Sequence, residues 1–266
     1  MVILSALDVA RERGVKSYKR LTVLFNPDEE RSSLGSQAVI KELSAQQDYV
    51  LVYEPPEADL VTVSTNGIAY VHLEVNGLAS HAGSAPEKGR NAVVELANQI
   101  VQLNSLGDPA KGTTVNWTVV KSDDRVNIIP DKATAIADMR MSDVTEVGRV
   151  QQDGNEIIRQ KLVPDTDVSL KVEMRRPPFS KNPATDKLAE QANSIYEEIG
   201  TRIKPVSMRY GTDAGFAYSS ENKKPVVIDG MGIVGGRIHS PEEWADLDSI
   251  PPRLYLTVRM LEILGK

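Results

Sequence analysis

The 266-residue chain has no cysteine and only three histidines and three phenylalanines. The missing thiols exclude disulfides and thiolate metal sites, so a bound metal must rest on carboxylate and imidazole, and the redox compartment stays open. No apolar stretch approaches the roughly 20 residues that span a bilayer. Long basic runs are absent and the formal net charge is -6, which argues against a nucleic-acid partner. Internal repeats, low-complexity tracts and long flexible linkers are absent as well. What is present is ordinary for a soluble globular protein: 41% hydrophobic and 26% charged residues, in a length that suits one large or two modest domains.

The chain opens on Met1 to Ala10, which reads as the apolar face of a helix. It closes at Arg11-Glu12-Arg13-Gly14, with cations in the last turn and glycine as the stop. No N-cap precedes it, and neither a basic leader nor a small-residue cleavage site marks a signal peptide. The expectation is a chain that begins mid-fold.

Next comes Leu21 to Arg31, LTVLFNPDEER. The apolar run Leu21 to Phe25 predicts a strand buried on both faces, stopped by Asn26-Pro27. Three carboxylates follow, Asp28, Glu29 and Glu30, at the kind of sheet edge where open α/β sheets build their sites. A helix from about Ser33 to Ala45 leads to a second strand, Tyr49 to Tyr53, ending at Glu54-Pro55-Pro56. This alternation predicts parallel pairing, which would bring Glu54 beside Glu29 and Glu30.

From about Gly67 the rhythm changes to strand Ile68–Val75, helix Pro86–Leu106, strands Thr113–Lys121 and Lys132–Met141, helix Val144–Leu162 and strand Val168–Met174. The order β-α-β-β-α-β is that of a ferredoxin-like unit large enough to be a domain. Asp153-Gly154 weakens the second helix by about 1 kcal/mol of propensity. The α/β pattern then resumes with helix Asp186–Ile199, strand Pro205–Met208, the turn Gly211 to Gly215 into another helix, and strand Val226–Ile228. A glycine-rich loop, Gly230 to Gly236, leads to His239, and helix Ile250–Leu264 closes the chain. The predicted architecture is thus an α/β domain over residues 1–66 and 176–266, with 67–175 inserted.

Glu29, Glu30, Glu54 and His239 fall at strand ends or in loops of the α/β part, and none lies on a periodic apolar face. Imidazole and carboxylate suit zinc, and a neighbouring carboxylate can deprotonate a bound water. Each also has a plainer reading: a solvated acidic turn, a strand-end charge at Glu54, a surface-loop histidine at His239.

The strings LFNPDEER, YEPP, GLASHAGSAPEKGRNAV, VNIIPDKATAIADMR, YGTDAG and GGRIHSPEEW occur in an order and separation that resembles one family. It is the dinuclear-zinc peptidases and deacylases, which include glutamate carboxypeptidase, acetylornithine deacetylase and succinyl-diaminopimelate desuccinylase. Folate-cleaving glutamate carboxypeptidases are the branch most resembled. The resemblance implies a zinc-dependent metallopeptidase or amidohydrolase that cuts an amide beside a free carboxylate, with N-acyl amino acid deacylase as another activity of the same family. Glu29 would be the general base and Glu30, Glu54 and His239 zinc ligands. Arg140 would clamp the substrate carboxylate, His81 and Asn127 would reach the reaction centre, and Gly211 and Thr212 would line the substrate pocket. The inserted unit would be a lid and the surface of a homodimer.

Departures from the family pattern bear on what these residues do alone. The family's early His-x-Asp and its bridging aspartate have no counterpart, and the resemblance begins where that family's chain is about one third complete. Ser32 stands where the family often has glycine. The expectation is therefore one zinc ion or none on this chain, and a non-catalytic remnant that folds or dimerises through its lid stands as the alternative. The partner is a small acyl-amino acid or peptide, and the compartment, cytoplasmic or periplasmic, is open.

Overall fold

The computed structural model describes residues 2–122, 125–218 and 224–265. Met1, at the head of the predicted first helix, lies outside them. In chain order the elements are α1 (Val2–Glu12), α2 (Gln37–Ser44), β1 (Tyr49–Leu51), β2 (Leu60–Thr65), β3 (Gly67–Asn76), β4 (Ser80–His81), α3 (Ala92–Leu103), β5 (Thr114–Ser122), β6 (Ile128–Ile129), β7 (Lys132–Met141), α4 (Thr145–Ile157) and β8 (Asp167–Arg176). They continue as α5 (Pro183–Glu197), β9 (Lys204–Met208), α6 (Ala214–Ala217), β10 (Val226–Ile228), β11 (Gly235–Gly236), β12 (Trp244–Ala245) and α7 (Ile250–Leu264). The fold is mixed α/β and divides into two compact units, Met1–Thr65 with Phe179–Lys266, and Asn66–Pro178. No helix among the described residues is long and apolar enough to cross a membrane.

The second unit follows directly from its sequence pattern. β3 reads GIAYVHLEVN, and its odd-numbered residues are buried while the even-numbered ones are half-buried, the period of a strand with one covered face. It pairs antiparallel with β7 on one side and β8 on the other, and β5 completes a four-stranded sheet in the order β5-β7-β3-β8. α3 and α4 both cover the face that carries Val71, Leu73, Ala135 and Met139. α3 starts where Asn91 Oδ1 accepts the free amides of Val93 (3.0 Å) and Val94 (3.2 Å), and it needs no other cap. α4 tolerates Gly154 because a Cβ there would sit 2.9 Å from the Leu170 side chain, so glycine lets the helix lie close on β8.

The first unit holds two parallel pairs, β1 with β10 and β2 with β9. Its main apolar cluster joins Val61 and Val63 of β2 to Leu188 and Ile195 of α5 and Leu256 and Met260 of α7. A second, smaller cluster sets Ile40 with Phe179, Phe216 and Val227.

Three expectations are corrected here. Leu21 to Phe25 is not a buried strand: no strand among the described residues pairs with it, and Phe25 is 62% exposed. An apolar, β-branched run has the composition of a strand, but a ladder needs a partner. Consequently β1 does not lie against it and pairs instead with β10, so the shared sheet edge predicted for Glu54 and Glu29–Glu30 does not form. The predicted helix from Ser33 begins only at Gln37, because Ser32 and Ser33 are left-handed, with φ of 61° and 51°. β2, unmarked by the sequence reading, is an added strand.

Candidate active site

Glu29 and Glu30 sit in a single 3-10 turn, Glu29–Arg31, that follows the unpaired Leu21–Phe25 segment. Asp28 organises the turn. Its carboxylate accepts the Gly35 amide at 2.7 Å and the Ser36 hydroxyl, and its carbonyl accepts the amides of Arg31 (3.0 Å) and Ser33 (2.9 Å). The Ser36 hydroxyl and the Gly35 amide hold the Asp28 carboxyl below the usual carboxylate range. Glu29 is half-buried; Glu30 is exposed.

His239 follows the glycine-rich loop and, like Arg237 before it, takes a left-handed backbone, φ 64° and 54°. Its Nε2 lies 3.0 Å from Glu30 Oε1, across 209 residues of sequence. Glu54 stands just past β1, half-buried. The Gly232 amide donates to its carbonyl at 3.1 Å, and a Cβ on Gly232 would come within 2.8 Å of that same oxygen. Only glycine permits this approach.

Between Leu21–Phe25 and β1 runs a groove of about 1060 Å³, with Glu29, Glu54 and Asp213 on its lining among many apolar side chains. Gly211 is half-buried at the turn into α6, whereas Thr212 is only 3% exposed and donates its hydroxyl to Asp229 at 2.6 Å. Its side chain faces the scaffold. Tyr210, 37% exposed beside them, has its hydroxyl pushed up to about 12 by desolvation and by the charges of Asp229, Glu54 and Glu57.

The remaining predicted residues belong to the other unit. His81 on β4 accepts the amides of Gly83 and Ser84 on Nδ1, both at 3.1 Å, so the neutral ring carries its proton on Nε2. The β4–β6 ladder brings Asn127 next to it, and the Ala82 amide donates to the Asn127 carbonyl at 2.9 Å. Both side chains are exposed. Arg140 on β7 is half-buried and already engaged. It donates to both oxygens of Asp138, at 2.7 and 2.9 Å, two residues back on the same strand face.

Two carboxylates missed by sequence reasoning complete the first unit's site. Asp229 is 1% exposed at the end of β10, and burial raises its pKa, opposed by the Thr212, Gly230 and Glu54 hydrogen bonds. Asp213 accepts the Ser33 hydroxyl at 2.5 Å and the Asn26 amide. A signal was available for Asp229: a carboxylate straight after a buried β-branched run, as at Glu54.

Zinc takes imidazole nitrogen and carboxylate oxygen, and Glu30 with His239 is a pair of that chemistry. Among the described residues, however, no three His, Asp or Glu side chains form a group that could hold a metal. Glu54 does not join the pair in such a group, so these donors fall short of a zinc site.

Residues 63–166 match the family profile of the peptidase dimerisation domain found in M20 peptidases. Carboxypeptidase G2 of Pseudomonas sp. strain RS-16 is 39% identical over 267 residues, which is 99% of this chain and 64% of that protein. Residues 63–166 thus resemble a peptidase dimerisation domain, and the chain is similar to M20 peptidases along its length. Acetylornithine deacetylase of Proteus mirabilis is 23% identical over 91% of this chain and 63% of its own length. The same fold recurs in the crystal structure of aminopeptidase PepT from Bacillus cereus, with a TM-score of 0.82 at 20% identity, over all of this chain and 69% of that one. YXEP of Bacillus subtilis, described as a dinuclear metal-binding peptidase of the M20 family, matches with a TM-score of 0.64 at 15% identity, over 90% of this chain and 64% of its own. The chain thus spans just under two thirds of the two curated relatives.

Proposed function

We propose that this chain carries part of the active site of a glutamate carboxypeptidase-like amidohydrolase, which cuts an amide bond beside a free carboxylate. The observation that carries the reading is the meeting of Glu30 with His239, next to Glu29, in a chain 39% identical to carboxypeptidase G2. Glu29 takes the proton of the attacking water and returns it to the leaving amine, work suited to a half-buried carboxylate at a groove. Glu30 and His239 are a pair of zinc-type donors, and Glu54 would have to join them for zinc to be held. Arg140 recognises a substrate carboxylate by exchanging the bidentate contact it makes with Asp138. His81 and Asn127 offer a ring N–H and an amide to substrate oxygens. The unit 66–178 supports a homodimer, in keeping with the peptidase dimerisation domain it matches.

That no three donors among the described residues form a group favours a second reading, a non-catalytic remnant that folds and dimerises through the 66–178 unit. The two separate in one experiment. Residues 1–266 are purified, bound zinc is measured, and hydrolysis of an acyl-glutamate is followed with and without added zinc. Zinc-dependent turnover lost in Glu29→Gln, with zinc lost in Glu30→Ala and His239→Ala, supports the hydrolase. Neither zinc nor turnover, in a folded dimer, supports the remnant. Faster cleavage of acetylornithine than of acyl-glutamate would move the substrate toward the deacylases.

A further inference from the structure

The hydrolase reading needs Glu29, Glu30 and Glu54 to be held in place, yet all three sit outside the regular elements. The turn around Glu29 and Glu30 is also intrinsically unfavourable. Ser32 and Ser33 are consecutive residues in the left-handed region, with φ of 61° and 51°, which a Cβ disfavours. Such a turn persists only where surrounding contacts over-determine it.

The contacts come from far along the chain. Asp213 accepts the hydroxyl of Ser33 at 2.5 Å and the side-chain amide of Asn26, 180 and 187 residues away in sequence. Asn26 and Ser33 bracket the glutamate pair, and they are bonded to each other at 2.9 Å. Ser33 is wholly buried, so Asp213 supplies an acceptor to a hydroxyl that water does not reach. The preceding residue reaches the other way. Thr212 donates to Asp229 Oδ2 at 2.6 Å, while Asp229 Oδ1 accepts the amides of Gly230 at 2.5 Å and, more weakly, of Glu54 at 3.4 Å.

We propose that Thr212–Asp213 is a clasp that positions the site's glutamates, Asp213 fixing the Glu29–Glu30 turn and Thr212, through Asp229, the chain at Glu54. It rests on the hydrolase reading for its purpose, but its test reads geometry and needs no turnover. Neither residue is catalytic; each acts through another. Thr212 therefore serves the scaffold and does not line the substrate pocket.

The test uses the full 266-residue chain, with the His239 imidazole resonances as a reporter of where Glu30 stands. Glu30→Gln defines the shift that appears when the Glu30–His239 pair is lost. Asp213→Asn should move the His239 resonances the same way and speed amide exchange at Ser32 and Ser33 at least tenfold. The amides of β10 should keep their protection. Ser33→Ala, which removes one hydroxyl from the clasp, should do the same to a smaller degree and stands in should Asp213→Asn fail to fold. Thr212→Val should speed exchange at Gly230 and Glu54, and Thr212→Ser should restore it. Unchanged His239 resonances in both folded variants would overturn the proposal, as would exchange that rises equally through β10. An inactive wild-type chain with the expected shifts would count against the hydrolase reading and leave the clasp standing.

Discussion

Arg253 offers the sharpest test of what holds the site's scaffold together. It lies on α7 with no exposed surface, and its guanidinium donates to three backbone carbonyls: Gly230 at 2.9 Å, Ala58 at 3.1 Å and Leu60 at 3.2 Å. Asp59 is 3.7 Å away, and the guanidinium carbon stands 5.8 Å from the Tyr196 ring centre. These carbonyls belong to the start of β2 and to the glycine-rich loop, so one side chain ties α7 to both. Arg253→Met keeps the apolar stem and removes every donor. Each buried acceptor left without a partner costs about 1–3 kcal/mol. Ala58 is exposed, so water can serve its carbonyl, and the two carbonyls left unpaired make the expected loss about 2–6 kcal/mol. Urea unfolding followed by Trp244 fluorescence in a Trp117→Phe background reads the unit that contains Arg253. A loss under about 1 kcal/mol would mean that the carbonyls find other donors and that the tie is dispensable.

Other expectations are as direct. Leu73, 1% exposed at the centre of β3, should cost about 2–5 kcal/mol as Leu73→Ala, read from the thermal unfolding of Trp117 fluorescence; a smaller loss would mean that the sheet collapses around the cavity. Glu198 is held down to about 2, first by Arg259 and then by the Tyr255 hydroxyl. A carboxylate depressed in the folded state stabilises above its ordinary range, and that contribution fades as pH falls toward the folded value. The melting-temperature gap between wild type and Glu198→Gln should thus be constant above about pH 5 and shrink steadily toward pH 2; a gap independent of pH would refute the pairing. Arg140→Ala should weaken substrates with a free carboxylate by about 2–5 kcal/mol and spare their neutral amides, in a kinetic comparison of the two series. Equal losses would assign Arg140 to the fold.

Much of this molecule is written locally. The 66–178 unit is legible because its two central strands state their own inner face: β3 and β7 alternate strictly, and both pack the face that α3 and α4 cover. Asn91 announces the start of α3 through hydrogen bonds to its immediate successors. The motifs around Glu29, Glu30, Glu54 and His239 are equally local strings, which is why sequence resemblance could nominate them. Tertiary structure decided everything that needs a distant partner. Leu21 to Phe25 has the residues of a strand, but hydrogen-bonded pairing is a property of two segments, and β1 pairs with β10 instead. Arg140 carries its neutralising carboxylate only two residues away, a same-face spacing in a strand, yet the bidentate contact depends on the pleat that the sheet imposes. His239 reaches Glu30 across 209 residues, and Asp213 reaches Ser33 across 180. A single sequence names the groups that can bear charge or donate a proton, while the distances that make them act on one another are set by the fold.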